Sequence, residues 1–66
     1  MKIILNGKET DVAEGTVTMD MIDSLGYPDN ATAVWLNGRQ LLAAEYNALP
    51  LGEGDELKIV RLIGGG

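Results

Sequence analysis

Residues 2–12 run KIILNGKETDV, and the fold turns on how this stretch is read. Lys2 to Leu5 is a β-branched-rich run, and Asn6-Gly7 is the preferred two-residue turn of type I′, which needs positive φ at both central residues. The stretch therefore predicts a β-hairpin, with Lys8 to Val12 as the return strand. The same device recurs in TAVWLNGRQLL at 32–42, where Asn37-Gly38 again sits between two apolar runs. Two hairpins, one at each end of the chain's first two-thirds, frame everything else.

Between them, TVTMDMIDSLG (16–26) predicts a short helix. Thr18 is the expected N-cap, its hydroxyl accepting from an early amide. Val17 before it and Ile22 after it stand where a hydrophobic staple would join them. Met21, Ile22 and Leu25 make one apolar face, while Asp20, Asp23 and Ser24 fall on the other side. Asp20 lies in the first turn, where the helix dipole favours a negative charge. Gly26 is the natural stop and Pro28 bars continuation. After the second hairpin, AAEYNALPL has no clean period and suits a loop or one helical turn. GEGDELKIVRLI then gives a tight turn and a last strand from about Leu57 to Leu62.

The order is β-β-α-β-β-β. One helix cannot cover two faces of a sheet, so it lies across one face of a mixed five-stranded sheet, an α+β two-layer domain. The first and last strands pair in parallel at the centre, since the crossover between them runs through the helix. Strand alternation puts Val34, Leu36, Leu57 and Ile59 towards the helix. It leaves Trp35, Lys58, Val60 and Leu62 on the opposite side, where Trp35, Val60 and Leu62 form an apolar patch suited to a partner interface. The competing reading places Trp35 in the core, because a domain without Phe needs bulk. Alternation favours the exposed placement.

Composition narrows the function. At 66 residues there is room for one core. The chain has no Cys and no His, which excludes a disulfide framework, a thiolate nucleophile and the common zinc sites. Ser24 is the only serine and no base accompanies it. Glu53, Asp55 and Glu56 read as a solvated turn, too short for a calcium loop. We expect no catalytic residue of its own, no bound metal and no bound cofactor. A net charge of −5 argues against a nucleic-acid partner. The opening MKIILNG is too short for a signal peptide, and no run approaches the ~20 apolar residues of a membrane span. The expected location is cytoplasmic, without a membrane partner.

The remaining feature is Gly64-Gly65-Gly66. Triple glycine cannot pack and costs the most backbone entropy to order. The plain reading is a frayed end. The functional reading is a tail that enters a narrow channel in a partner, aimed by the last strand, with the Gly66 α-carboxylate as the working group. That carboxylate, with a reference pKa near ~3.5, is ionised at neutral pH and a poor electrophile. Joining it to the α-phosphorus of ATP as an acyl-adenylate activates it, and a sulfur donor can then displace AMP. The domain division is 1–63 for the folded body and 64–66 for the tail.

Taken together, MKIILNGKE, GTVTMDMIDSLG, AVWLNGRQL and EGDELKIVRLIGGG resemble the sulfur carrier proteins of thiamine biosynthesis, the ThiS family, close to the MoaD family. The resemblance covers the whole chain. It implies a ubiquitin-like β-grasp fold. It implies that Gly66 is adenylated by a ThiF-like adenylyltransferase and converted to a thiocarboxylate, with sulfur drawn from cysteine through a desulfurase. A ThiG-like thiazole synthase then takes the sulfur. Gly65 and Gly66 match the terminal pair, and Gly64 an extra glycine found in part of the family. ATP and Mg²⁺ belong to the partner enzyme. The alternatives are a carrier like the small subunit of molybdopterin synthase, a ubiquitin-like modifier, and a non-catalytic β-grasp interaction domain.

Overall fold

A computed structural model describes residues 1–28 and 32–62. Strand β1 (Lys2–Leu5) turns through Asn6-Gly7 into β2 (Lys8–Asp11). Helix α1 (Thr18–Leu25) follows, then β3 (Thr32–Leu36), the two-residue β4 (Arg39–Gln40), a single 3-10 turn (Ala43–Glu45) and β5 (Glu56–Arg61). The five strands form one sheet in the order β2-β1-β5-β3-β4. β1 and β5 run parallel at its centre, with Leu5 beside Leu57, and the remaining pairs are antiparallel. This is the expected β-grasp arrangement, with each strand found where the sequence placed it to within a residue or two.

Both hairpins use the turn their sequence dictates. Asn6 and Gly7 have φ of 51° and 81°, and Asn37 and Gly38 have 52° and 87°. Positive φ at both central positions matches the right-handed twist of the strands they join. Gly26 ends the helix at φ 74°, its N–H donating to the Asp23 carbonyl and the Tyr27 N–H to that of Ile22. An αL residue is cheapest as glycine, which is why the helix stops there.

The start of the helix corrects the sequence reading. Val17, not Thr18, is the N-cap, with extended backbone at φ −110° and ψ 167°. An isolated antiparallel bridge between Val17 and Pro50 holds the chain extended up to that point. Next to it, the Leu51 N–H donates to the Thr16 carbonyl at 2.8 Å. Helical geometry therefore begins at Thr18, one residue earlier than a threonine cap requires. The capping acceptor comes from inside the helix instead: Asp20 Oδ2 receives the Val17 N–H at 2.9 Å. Thr18 is fully buried, and its hydroxyl has no hydrogen-bond partner among the described residues. The shift also moves Val17 out of the position that a staple to Ile22 requires.

The core lies between α1 and one face of the sheet. Ile3, Met21, Ile22, Val34, Leu57 and Ile59 are buried together, and Leu25 and Leu36 pack at their margin. Three further members are Leu41, just after β4, and Tyr46 and Leu51 from the stretch without a period. Tyr46 supplies the bulk that a chain without Phe would otherwise lack, and its carbonyl accepts the Met19 N–H at 2.9 Å. Each such side chain, fully buried, contributes about 1.5–3 kcal/mol before conformational entropy is set against it.

Candidate functional site

The side of the sheet away from the helix is uncovered. Strand alternation and register place Ile4 on β1, Trp35 on β3, and Glu56, Lys58 and Val60 on β5 along this side. Their inward neighbours Ile3, Val34, Leu57 and Ile59 are all buried. An open groove of about 870 Å³ runs along it, with Ile4, Tyr27, Trp35, Lys58 and Val60 in its walls.

Each sequence-derived interface residue can now be placed. Trp35 is half-buried, neither in the core nor fully free. Directly across the ladder from it stands Lys58, whose Nζ lies 5.7 Å from the centre of the indole ring. The aliphatic stem of a lysine covers apolar surface while its ammonium meets the electron-rich ring face. Val60 is half-buried further along β5, and Leu62 is 51% exposed just beyond the strand. Trp35 and Val60 share the groove. Gly64 and Gly65, expected to enter a partner, Gly66, expected to be activated, and the expected domain boundary after residue 63 lie outside the described residues.

What positions this face is β5, and the two hairpin turns grip that strand with side chains. Asn6 Oδ1 accepts the Ile59 N–H at 2.8 Å, continuing on the far side of the turn a parallel ladder that β1 can no longer supply. Asn37 Oδ1 accepts the Glu56 N–H at 2.9 Å, and its Nδ2 donates to Asp55 Oδ1 at 3.2 Å. The backbone amides of the same residues donate to the Leu57 and Glu56 carbonyls. Asparagine is thus used twice at each turn, once for its tolerance of αL and once as an acceptor for β5. Sequence reasoning finds the first use. The second joins residues 53 apart in the chain at Asn6 and 19 apart at Asn37, and no local pattern signals it.

The acidic turn before β5 is occupied with the fold. Asp55 Oδ2 accepts the Gly52 N–H at 2.7 Å, and Glu53 Oε1 accepts the Lys2 N–H at 3.1 Å. Elsewhere, Glu45 accepts the Leu42 N–H at 2.8 Å and the Arg39 guanidinium at 3.2 Å. The backbone donor first, and the guanidinium after it, hold the Glu45 carboxyl below the ordinary carboxylate range. Among the described residues no group of three or more acidic side chains is placed to hold a metal ion.

A mixed five-stranded sheet with one crossing helix, its outer side open and its central strand leading to glycines, defines a ubiquitin-like β-grasp domain. Two solved structures share it over their full overlap with this chain. The crystal structure of the thiamine biosynthesis protein (ThiS) from Geobacter metallireducens superimposes with a TM-score of 0.80 at 28% identity, covering 100% of both chains. The solution structure of a thiamine biosynthesis protein from the same organism gives 0.80 and 28%, covering 88% of that chain. Residues 3–66 match the ThiS family, and the chain belongs to it. It is also 35% identical to a thiazole synthase of Magnetococcus marinus and 30% identical to one of Paramagnetospirillum magneticum, over all 66 residues. The chain spans only 20% of the length of these two relatives.

Proposed function

We propose that the chain is a sulfur carrier for thiazole formation in thiamine biosynthesis, acting as a co-substrate and not as an enzyme. The observation that carries this reading is the family match, which runs through residue 66 and so takes in the three glycines together with the strand that presents them. In the first step a Gly66 carboxylate oxygen attacks the α-phosphorus of ATP, and pyrophosphate leaves. In the second, hydrosulfide attacks the acyl-adenylate carbonyl, AMP leaves with the bonding electrons of the broken C–O bond, and the sulfur's proton passes to solvent. The product is a thiocarboxylate at Gly66. The adenylating partner, a ThiF-like enzyme, supplies Mg²⁺ and the charge stabilisation of both steps. Sulfur is drawn from cysteine through a desulfurase, whose persulfide a thiol reduces to the hydrosulfide used in the second step.

The folded body serves as a handle. Trp35, Val60 and Leu62 offer the partner an apolar surface beside the root of the tail, and Gly64 and Gly65 let the backbone lie against the walls of a narrow site. The consumer of the sulfur is a ThiG-like thiazole synthase. The two relatives named thiazole synthase support that choice, since each joins a counterpart of this domain to a much longer chain. No helix among the described residues is long and apolar enough to cross a membrane, and the carrier reading puts its work in the cytoplasm.

Incubation with the adenylating enzyme, ATP and a sulfide source tests the proposal by intact mass. The expected gain is the difference between one sulfur and one oxygen, and it disappears when Gly66 is deleted although the domain stays folded. A chain that gains no mass with an enzyme competent towards another carrier refutes it. Covalent ladders on other proteins would instead identify a modifier.

A further inference from the structure

The groove on the open side holds a charge that the rest of the fold does not use. The ion pairs among the described residues are Lys2 with Glu9 and Arg39 with Glu45. Lys58 is in neither. It stands at the middle of the groove, on the central strand, with Trp35 across the ladder and Val60 two residues along the same strand; Glu56, two residues the other way on the same side, lines the groove too but is not paired with it. Nothing in the hydrophobic core needs it, because its side chain lies on the side away from the helix. A neutral or apolar residue here would leave the sheet as well packed and the groove more uniformly apolar.

A protein that covers this groove must take the Lys58 ammonium out of water. An unpaired buried ammonium is heavily penalised, and the indole ring returns only a small part of that cost. Any partner that docks tightly therefore brings an anion to Lys58, set within an apolar rim that meets Trp35 and Val60. We propose that Lys58, carried on Trp35, selects the partner of this face, and that the occupant is a thiazole synthase subunit presenting a carboxylate to it. The choice of occupant rests on the carrier reading above and on the two relatives in which this domain's counterpart belongs to a thiazole synthase. A partner with a basic patch, which the acidic net charge alone would suggest, is disfavoured at this position. The groove lining carries Lys58 and Arg61 against Glu56, so its charge and that of the whole chain have opposite signs.

The experiment is titration calorimetry of the chain against the thiazole synthase of the same source, at low and high salt. The variants are Lys58→Met, which keeps an apolar stem on Trp35, and Lys58→Glu. For Lys58→Met we expect binding weaker by about tenfold and most of the salt dependence gone, as for loss of one interfacial ion pair. For Lys58→Glu, which sets like charges together, we expect a loss on the order of a hundredfold or more. Unfolding midpoints of the variants should match the wild type, because Lys58 is exposed and bears no load in the core. Lys58→Met binding as tightly as the wild type, with the same salt slope, overturns the proposal. So does a wild-type chain that does not bind the synthase at all. If sulfur loading at Gly66 is intact in that case, the carrier reading stands and only the occupant is wrong.

Discussion

Replacing Thr18 by valine should make this protein more stable. Thr18 is fully buried at the first helical position, and its hydroxyl has no partner among the described residues. Valine has nearly the same shape and puts a methyl group where the hydroxyl was. A buried hydroxyl without a hydrogen bond costs about 1–3 kcal/mol, and the substitution removes that cost. Helix propensities of Thr and Val are close, so the backbone contributes little either way. The helix cap is unaffected, because its acceptor is Asp20 and its N-cap is Val17. The net gain is about 1–2 kcal/mol. For a domain of this size that corresponds to a rise in melting temperature of roughly 5–15 °C. Calorimetry and urea unfolding, with an unchanged slope, measure it. Thr18→Ser is the control: it keeps the hydroxyl, loses the methyl group and should destabilise by about 1 kcal/mol. If Thr18→Val melts at or below the wild-type temperature, the hydroxyl is paired in solution and the reasoning fails.

Three further outcomes are expected. Asn6→Gly keeps the turn's backbone but leaves the Ile59 N–H without its acceptor, and should cost about 1–3 kcal/mol by urea unfolding. Asn6→Ala adds αL strain of about 1 kcal/mol or more, so an alanine variant no worse than the glycine one would contradict the turn geometry. Glu45 has a depressed carboxyl pKa, so it contributes stability above the ordinary carboxylate range and loses it as pH falls through the folded-state value. Glu45→Gln should therefore lower the melting temperature most at neutral pH, and the gap to wild type should close on acidification. Trp35, as the only tryptophan, reports on the open face directly. Its fluorescence should be quenched by acrylamide to a degree between that of a free indole and that of a core one, and complete protection would place the ring elsewhere.

Much of this was legible in the residues because the signals are local. Asn-Gly flanked by β-branched runs fixes a hairpin from four or five positions, and both hairpins came out in register. The alternation of Val34 with Trp35 and of Leu57 with Lys58 separated the two faces of the sheet. The helix start was misplaced because a bridge to Pro50, more than thirty positions away, decides where extended backbone ends. Leu41, Tyr46 and Leu51 escaped notice since they enter the core from irregular backbone, where no periodicity marks an inward side chain. The grip of Asn6 and Asn37 on β5 has the same origin. Lys58 is visible on the outer face, but its meaning depends on the ring across the ladder and on its standing outside the ion pairs among the described residues.

The placement of β5 also has a mechanical consequence. A partner that draws on the segment after Leu62 pulls along the axis of a strand held on both sides, by β1 in parallel and by five register pairs to β3. Tension in that direction loads the rungs in shear, all at once, where an edge strand would peel away one rung at a time. The body can thus be tugged from its far end without unravelling, and repeated capture and release should leave it intact.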